Sequence, residues 1–289
     1  MQKKYFLLKQ FIFVLSISLL LISCSNSNNK EKQQNDNNQQ IDRDKSENTV
    51  KSNVYTSYNL PLPIEIYKFL KNNNIEFNLQ LLNSKDKQAN TFTDISKAIN
   101  LGFYSSDLAY CTIFDQSQES VDYFSISIEL AHELDITEGY DEKVLDRTYD
   151  NIENNDSLSN IAEEAYWKTC NYLEKNKKIN ILPFIIVGSW LESMHILTES
   201  SKNITDKKLI YAEIYNQKES LKNLIFYLFE VMNDSNAFIV NDDIQAVIKS
   251  LKLIQAEFEK INNQQDLTNF NKEFININNL VTTYRNTHN

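Results

Sequence analysis

The scarcity of glycine and proline is the feature that most restricts the fold of this chain. Only three glycines and three prolines occur among 289 residues. Folds rich in β-sheet need many tight turns, and tight turns depend on these two residue types. No β-hairpin signal separates the apolar segments either. We therefore expect an all-α fold.

Apolar residues recur at helical spacing along the chain from about residue 56 to residue 289, which we expect to form one globular domain. Pro63 suits the first position of a helix, and Ser157 is typical of an N-cap. Gly139 is typical of a helix end. Nine segments show the helical pattern: one that begins at Pro63, then 93–115, 118–136, 141–153, 157–175, 179–199, 205–232, 241–261 and 266–284. They predict an irregular multi-helix bundle of about nine helices. A helical-repeat arrangement stays open, although no fixed period recurs.

The segment 179–199 differs from the other helical segments because it has almost no polar face. A helix that is apolar all round is a buried one. Its length approaches that of a membrane span, but Glu192 and His195 lie inside it and Pro183 lies near its start. We expect it to be the buried central helix of the bundle.

The first 23 residues have the three parts of a secretory signal peptide. Lys3, Lys4 and Lys9 precede an apolar run, and a small residue precedes Cys24. This arrangement resembles the lipobox of bacterial lipoproteins, which implies cleavage before Cys24 and attachment of lipid to its sulfur. An uncleaved membrane span is disfavoured because the apolar run is short and no basic flank follows it. Residues 24–55 are polar throughout and predict an acylated cysteine followed by a disordered tether.

The resemblance to lipoproteins also implies an address in the cell envelope. Ser25 follows the predicted lipid attachment site, where an aspartate is typical of retention in the inner membrane. We therefore expect the outer membrane, with the protein facing the periplasm and the lipid anchor as its contact with the membrane. A disulfide between Cys111 and Cys170 is allowed there, but both lie in apolar helical patterns, where cysteine commonly acts as a small hydrophobic residue.

The charge of the chain argues against nucleic acid as a partner. The sequence carries 39 acidic and 29 basic side chains, and three of the lysines belong to the predicted signal peptide. Nucleic acids and anionic lipid surfaces select basic patches instead. An acidic surface keeps a protein soluble and says little more about its partners.

Two Glu-x-x-His motifs raise the question of a di-iron site. Glu129 with His132, and Glu192 with His195, have the spacing that di-iron bundles use together with two further carboxylates, for which Asp107 and Glu163 or Glu164 follow a suitable chain order. However, Glu129 and His132 belong to the polar stripe of segment 118–136, opposite its apolar stripe. They should face water, whereas metal ligands must face the core. We expect no metal site and no cofactor.

Glu192 remains the most informative polar residue, because a carboxylate in a buried helix needs a partner or a raised pKa. One interpretation is a satisfied structural network. The other is the polar floor of a ligand pocket formed by Glu192, His195, Trp190 and Tyr104. Gly188 fits either interpretation, since a glycine within a helix often marks a close approach of another helix.

The familiar catalytic signatures are absent, including phosphate loops, zinc-binding helices and nucleophile elbows. The sequence therefore favours a binding or scaffold protein without catalytic activity, which holds an envelope protein or a small ligand near the membrane. The alternative is an envelope hydrolase or a metal-dependent enzyme that uses carboxylates around Glu192.

Three short segments, Pro61–Tyr67, Asn100–Tyr110 and Ser189–Glu192, resemble those of a group of all-helical lipoproteins of Bacteroidota whose activity is not known. The similarity covers about residues 60–200 and the lipobox. It implies the helical fold and the envelope address, and it brings no catalytic residues to this chain.

Overall fold

The computed structural model describes residues 52–86, 93–136, 142–151, 153–176, 178, 180–233, 241–263 and 266–288. Within these ranges the chain forms ten α-helices and no β-strand, so the predicted all-α fold is confirmed. The helices, numbered α1 to α10 along the chain, are Asn53–Tyr58, Pro63–Asn72, Asp94–Ile113, Ser117–Glu133, Glu142–Asp150, Asn155–Lys175, Leu182–Ser200, Lys208–Asn233, Asn241–Lys260 and Asn271–His288. Helices α2 to α10 correspond to the nine predicted segments.

Helix α1 begins within the segment predicted to be a tether. Ser52, just before it, is buried, and its hydroxyl donates a hydrogen bond to the carboxylate of Glu174 in α6. The backbone N–H of Val54 donates to the same carboxylate at 3.3 Å. Residues 53–55, which the sequence placed in the tether, belong to helix α1 instead. The predicted signal peptide, Cys24 and most of the predicted tether lie outside the described residues.

The predicted helix boundaries were correct at some ends and wrong at others. Pro63 is the first residue of α2, as predicted. Ser157 is not the N-cap of α6, because Asn154 occupies that position and its side-chain oxygen accepts a hydrogen bond from the N–H of Ser157 at 3.1 Å. Asparagine and serine cap helices equally well, so the residue types alone did not distinguish them. Gly139 lies outside the described residues.

Helix α7 is the centre of the bundle. All of its residues except Glu199 are buried, which confirms the prediction for segment 179–199. It packs most extensively against α3, and it also contacts α2, α8 and α10. The burial of an entire helix surface accounts for its nearly uniform apolar sequence.

Two glycines allow α3 and α7 to cross in close contact. A Cβ atom at Gly188 would lie 2.1 Å from the carbonyl oxygen of Ile99, and one at Gly102 would lie 2.2 Å from the carbonyl oxygen of Ile185. Both distances are far below van der Waals contact, so neither position has room for a side chain. The close approach predicted at Gly188 is confirmed, and Gly102 is its counterpart.

Two further findings concern the envelope and redox expectations. In the part of the chain that the structure describes, no helix combines the length and the hydrophobicity that crossing a membrane requires. Cys111 and Cys170 are both buried and are not joined by a disulfide.

Candidate functional site

Glu192 forms an ion pair with Arg285 in the interior of the bundle. The Nε atom of Arg285 in α10 lies 2.6 Å from Oε2 of Glu192, and its Nη2 atom lies 3.0 Å from Oε1. The side chain of Glu192 is completely buried, and that of Arg285 is 9% exposed. A two-point contact of this kind matches the planar guanidinium to the carboxylate. The charge of Glu192 is thus balanced within the fold.

Asp107 of α3 adds a second carboxyl group to this buried centre. Its Oδ2 atom accepts hydrogen bonds from the backbone N–H and the side-chain Nδ2 of Asn83, at 3.1 and 2.7 Å. Its Oδ1 atom is buried without a hydrogen-bond partner. Burial, together with the nearby Glu192, raises the pKa of Asp107 well above its usual value, although Arg285 acts in the opposite direction. Asp107 therefore holds its proton more strongly than an exposed aspartate does.

Residues 79–84, which we call the strap, cover this buried centre. The strap begins as a 3-10 turn, Leu79–Leu81. The carbonyl oxygen of Leu81 accepts a hydrogen bond from Arg285 at 3.3 Å, and that of Asn83 accepts one from the Tyr123 hydroxyl at 2.6 Å. The strap therefore gains polar contacts with α3, α4 and α10, and these contacts hold it over the carboxyl groups.

Tyr104 belongs to the same region, as part of the predicted pocket. Its hydroxyl donates to the carbonyl oxygen of Ser84 at 2.8 Å. Burial, with contributions from Asp107 and Glu192, raises the pKa of Tyr104 to about 12. Tyr104 and Glu192 therefore lie near each other, as predicted. However, the Tyr104 hydroxyl is bonded to the strap and does not line an open pocket.

His195 takes part in a different network, between α7 and α10. Its Nδ1 atom lies 3.1 Å from the hydroxyl of Thr282. Nearby, Asn278 accepts a hydrogen bond from Thr198 at 2.9 Å and donates one to Glu199 at 3.0 Å. Burial lowers the pKa of His195, although Glu192 acts in the opposite direction. A histidine that favours its neutral form and bonds to threonine has a structural role in this position.

Trp190 is fully buried, and its Nε1 atom has no hydrogen-bond partner. It lies two residues from Glu192 on α7, which places it on a different side of the helix. The structure thus brings together Glu192 and Tyr104 but not Trp190. Of the four residues in the pocket interpretation, Glu192 is bonded to Arg285, His195 lies beside Thr282 and Tyr104 is bonded to Ser84, whereas Trp190 is buried on another side of α7.

Arg285 and Asn83 are the residues of this centre that the sequence interpretation missed. A signal for Arg285 does exist, because the chain uses lysine for nearly all of its basic residues and contains only three arginines. An arginine is the preferred partner of a buried carboxylate. Asn83 offers no comparable signal in a sequence rich in asparagine.

The first Glu-x-x-His motif lies on the surface. Glu129 and His132 are both exposed, so the predicted orientation of this stripe is confirmed. The apolar residues opposite them, such as Val121 and Phe124, are buried. Within the described ranges, no group of three or more histidine, cysteine or acidic residues could hold a metal ion.

An apolar cleft between α2, α3 and α6, which we call the Trp167 cleft, lies beside the serine-rich crossing of α3 and α7. Its volume is about 60 Å³. Aliphatic groups of Leu62, Pro63 and Ile64 line one part of it, and the aromatic rings of Tyr166 and Trp167 line another. These two rings meet edge to face, with centroids 5.5 Å apart and planes at 68°. The cleft therefore has an aromatic corner.

The hydroxyl groups on the floor of the Trp167 cleft are used within the fold. Ser106 and the Tyr67 hydroxyl lie 2.6 Å apart, and Ser106 donates to the carbonyl oxygen of Ser189 at 3.2 Å. Ser189 donates in turn to the carbonyl oxygen of Gly102 at 3.2 Å. Burial raises the pKa of Tyr67 well above its usual value, so its hydroxyl stays protonated.

No protein-family description matches this chain, and neither a curated protein nor a solved structure is similar to it.

Proposed function

We propose that this chain is a lipid-anchored protein of the bacterial cell envelope, which binds a partner protein or a small ligand and catalyses no reaction. The lipobox-like sequence that ends at Cys24 supports the anchor, and Ser25 supports the outer membrane, facing the periplasm. The polar segment after Cys24 would give the helical body reach from the bilayer.

The closed state of Glu192 is the observation that carries the non-catalytic part of the proposal. A catalytic carboxylate must reach its substrate, whereas both oxygens of Glu192 contact Arg285 beneath the strap. The other polar residues of α7 bond to α10 or to main-chain carbonyl groups. These groups stabilise the packing of the helices. A binding protein requires no catalytic role of them.

A second candidate, an envelope hydrolase, receives support from one observation. Burial and the nearby Glu192 raise the pKa of Asp107, whereas Glu192 is paired with a guanidinium, so the two neighbouring carboxyl groups lie in different electrostatic surroundings. Hydrolases that use two carboxyl groups require such a difference. For this function the strap would have to open, because it covers both groups.

Lipid attachment is tested by metabolic labelling of cells with radioactive palmitate. We expect label on the full chain and none on the Cys24→Ser variant, which should leave the membrane fraction. The Ser25→Ala variant is the matched control, because it alters the neighbouring residue but keeps the sulfur. Equal labelling or equal membrane retention of wild type and Cys24→Ser would contradict the anchor.

The binding role is tested by cross-linking in intact cells, followed by purification of the tagged full chain from membranes. We expect a partner in fixed ratio to the wild-type chain, and loss of that partner from the Cys24→Ser variant, which no longer lies at the bilayer. Hydrolysis of envelope glycans or peptides by purified wild type, abolished in Asp107→Asn, would instead favour the hydrolase.

A further inference from the structure

Glu163 sets the Trp167 cleft apart from the rest of the acidic surface. Among the residues that the structure describes, it is the only charged one that lines the cleft. The Nε1 atom of Trp167 donates a hydrogen bond to its Oε1 atom at 3.3 Å, which holds the carboxylate beside the aromatic corner. Its neighbour Glu164 pairs with Arg147 at 3.1 Å and with Lys168 at 2.5 Å. No lysine or arginine of the described ranges forms such a pair with Glu163.

An unneutralised carboxylate at the edge of an apolar cleft restricts what can occupy the cleft. A neutral apolar molecule would remove water from Glu163 without replacing its hydrogen bonds, and this desolvation is unfavourable. An anion would add repulsion. A cation compensates the charge, and the faces of tryptophan and tyrosine rings attract cations as well.

The walls of the cleft indicate which kind of cation fits. Apart from Glu163, the described residues that line the cleft are uncharged, and most of them present aliphatic groups or aromatic rings. An ammonium group with N–H bonds would exchange water for carbon on much of its surface there. A nitrogen that carries methyl groups needs no acceptors and gains contacts with aliphatic walls.

We infer that the Trp167 cleft binds a small quaternary ammonium compound from solution, with its methylated nitrogen against Tyr166 and Trp167 and its charge balanced by Glu163. This inference rests on the proposed binding function, of which it names the ligand class. Glu163 lies at the exposed rim, so the cation enters beside it while the rest of the ligand remains in the open part of the cleft.

The test uses the full chain, purified from membranes in a maltoside detergent, and choline as the probe. Tryptophan fluorescence reports binding, because Trp167 lines the cleft and the only other tryptophan, Trp190, does not. The neutral analogue 3,3-dimethylbutan-1-ol has the same shape as choline and no charge. We expect choline to bind about tenfold more tightly than this analogue, from the ring faces and the carboxylate together.

Two neighbouring substitutions provide a matched pair. Glu163→Gln should weaken choline binding about fivefold, and it should leave binding of the neutral analogue equal or stronger, because it removes the charge whose desolvation opposes that ligand. Glu164→Gln removes the same charge from the adjacent position, where Arg147 and Lys168 already neutralise it, and should leave both affinities unchanged. Both residues are partly or fully exposed, so both variants should fold.

Three results would overturn the inference. Equal affinities for choline and the neutral analogue, with no effect of Glu163→Gln, would mean that the cleft selects apolar shape and not charge. Absence of choline binding would mean that the cleft is not a cation site. Binding to phosphatidylcholine vesicles without binding to free choline would assign the cleft to a membrane surface. None of these results bears on palmitate labelling or on cross-linked partners, which test the proposed function separately.

Discussion

The buried centre around Glu192 and the Trp167 cleft both border α3, and each contains a carboxylate. The two carboxylates differ in their burial and in their polar partners. Glu192 is completely buried and bonded through both oxygens to Arg285. Glu163 is exposed, lies beside aromatic rings and has only the Trp167 N–H as a polar partner among the interactions described. The carboxylate that is more conspicuous in the sequence, Glu192, stabilises the fold, and the less conspicuous Glu163 is available to a ligand.

The largest effect is expected from breaking the buried pair. Arg285→Met leaves the charge of Glu192 buried without a partner, which should lower the free energy of unfolding by about 3–5 kcal/mol, as measured by urea denaturation. Arg147→Met is the matched control, because its pair with Glu164 is partly exposed, at 38% and 24%, and should contribute less than about 1 kcal/mol.

A double variant separates the pair from the rest of the packing. Glu192→Leu combined with Arg285→Met removes both charges, and it should recover most of the stability that Arg285→Met loses. If Arg285→Met were as stable as wild type, Glu192 would have another partner or access to water, and the contrast between the two carboxylates would disappear.

The next largest loss of stability is expected at the crossing of α3 and α7, which adjoins both the buried centre and the Trp167 cleft. Gly188→Ala would place Cβ 2.1 Å from the carbonyl oxygen of Ile99, so the two helices must move apart. We expect a loss of about 1–3 kcal/mol in the free energy of unfolding, despite the better helix propensity of alanine. Ser193→Ala, which changes a buried residue of the same helix without adding bulk, should be milder. A Gly188→Ala variant that is more stable than wild type would contradict this close approach.

The protonation of Asp107 should appear in the pH dependence of stability. Because its folded pKa is raised, the folded state retains a proton that the unfolded state loses, so this contribution is complete below the unfolded pKa, near 3.8, and is lost as pH rises toward the folded pKa. Asp107→Asn carries no titrating group there. Relative to wild type, it should therefore gain stability as pH rises above about 4, by up to about 1.4 kcal/mol per pH unit, until the pH passes the folded pKa of Asp107.

Asp122→Asn is the control for this experiment because its shift has the opposite sign. Desolvation acts to raise the pKa of Asp122, but hydrogen bonds from Lys85 and Gln118 outweigh it and lower the pKa. Its contribution to stability is present above the unfolded pKa and is lost as pH falls. The same slope in both variants would show that Asp107 is ionised in the folded protein.

The smallest change in stability is expected at the Trp167 cleft. Glu163→Gln should change the free energy of unfolding by less than about 0.5 kcal/mol, since an exposed carboxylate without a basic partner contributes little to the fold. Glu164→Gln should cost slightly more, because it loses two partly exposed ion pairs. Thermal unfolding of the two variants beside wild type measures both. A large loss in Glu163→Gln would assign this carboxylate to the fold and not to a ligand.

Local sequence patterns predicted most of the helices of this protein. Scarce glycine and proline and helical spacing placed nine of the ten described helices, and a uniformly apolar surface identified α7 as the buried one. The same periodicity placed Glu129 and His132 on the surface. These properties depend on residues close together in the chain, so local patterns contain them.

Only the tertiary structure decided which groups meet. Glu192 required a partner, but its sequence neighbourhood could not select Arg285, 93 residues away, from the other basic side chains. The same holds for Asp107 and Asn83, and for the aromatic corner of α6 that faces the beginning of α2. Burial of a charge follows from one helix, whereas its compensation depends on how several helices pack, and that packing is a property of the whole chain.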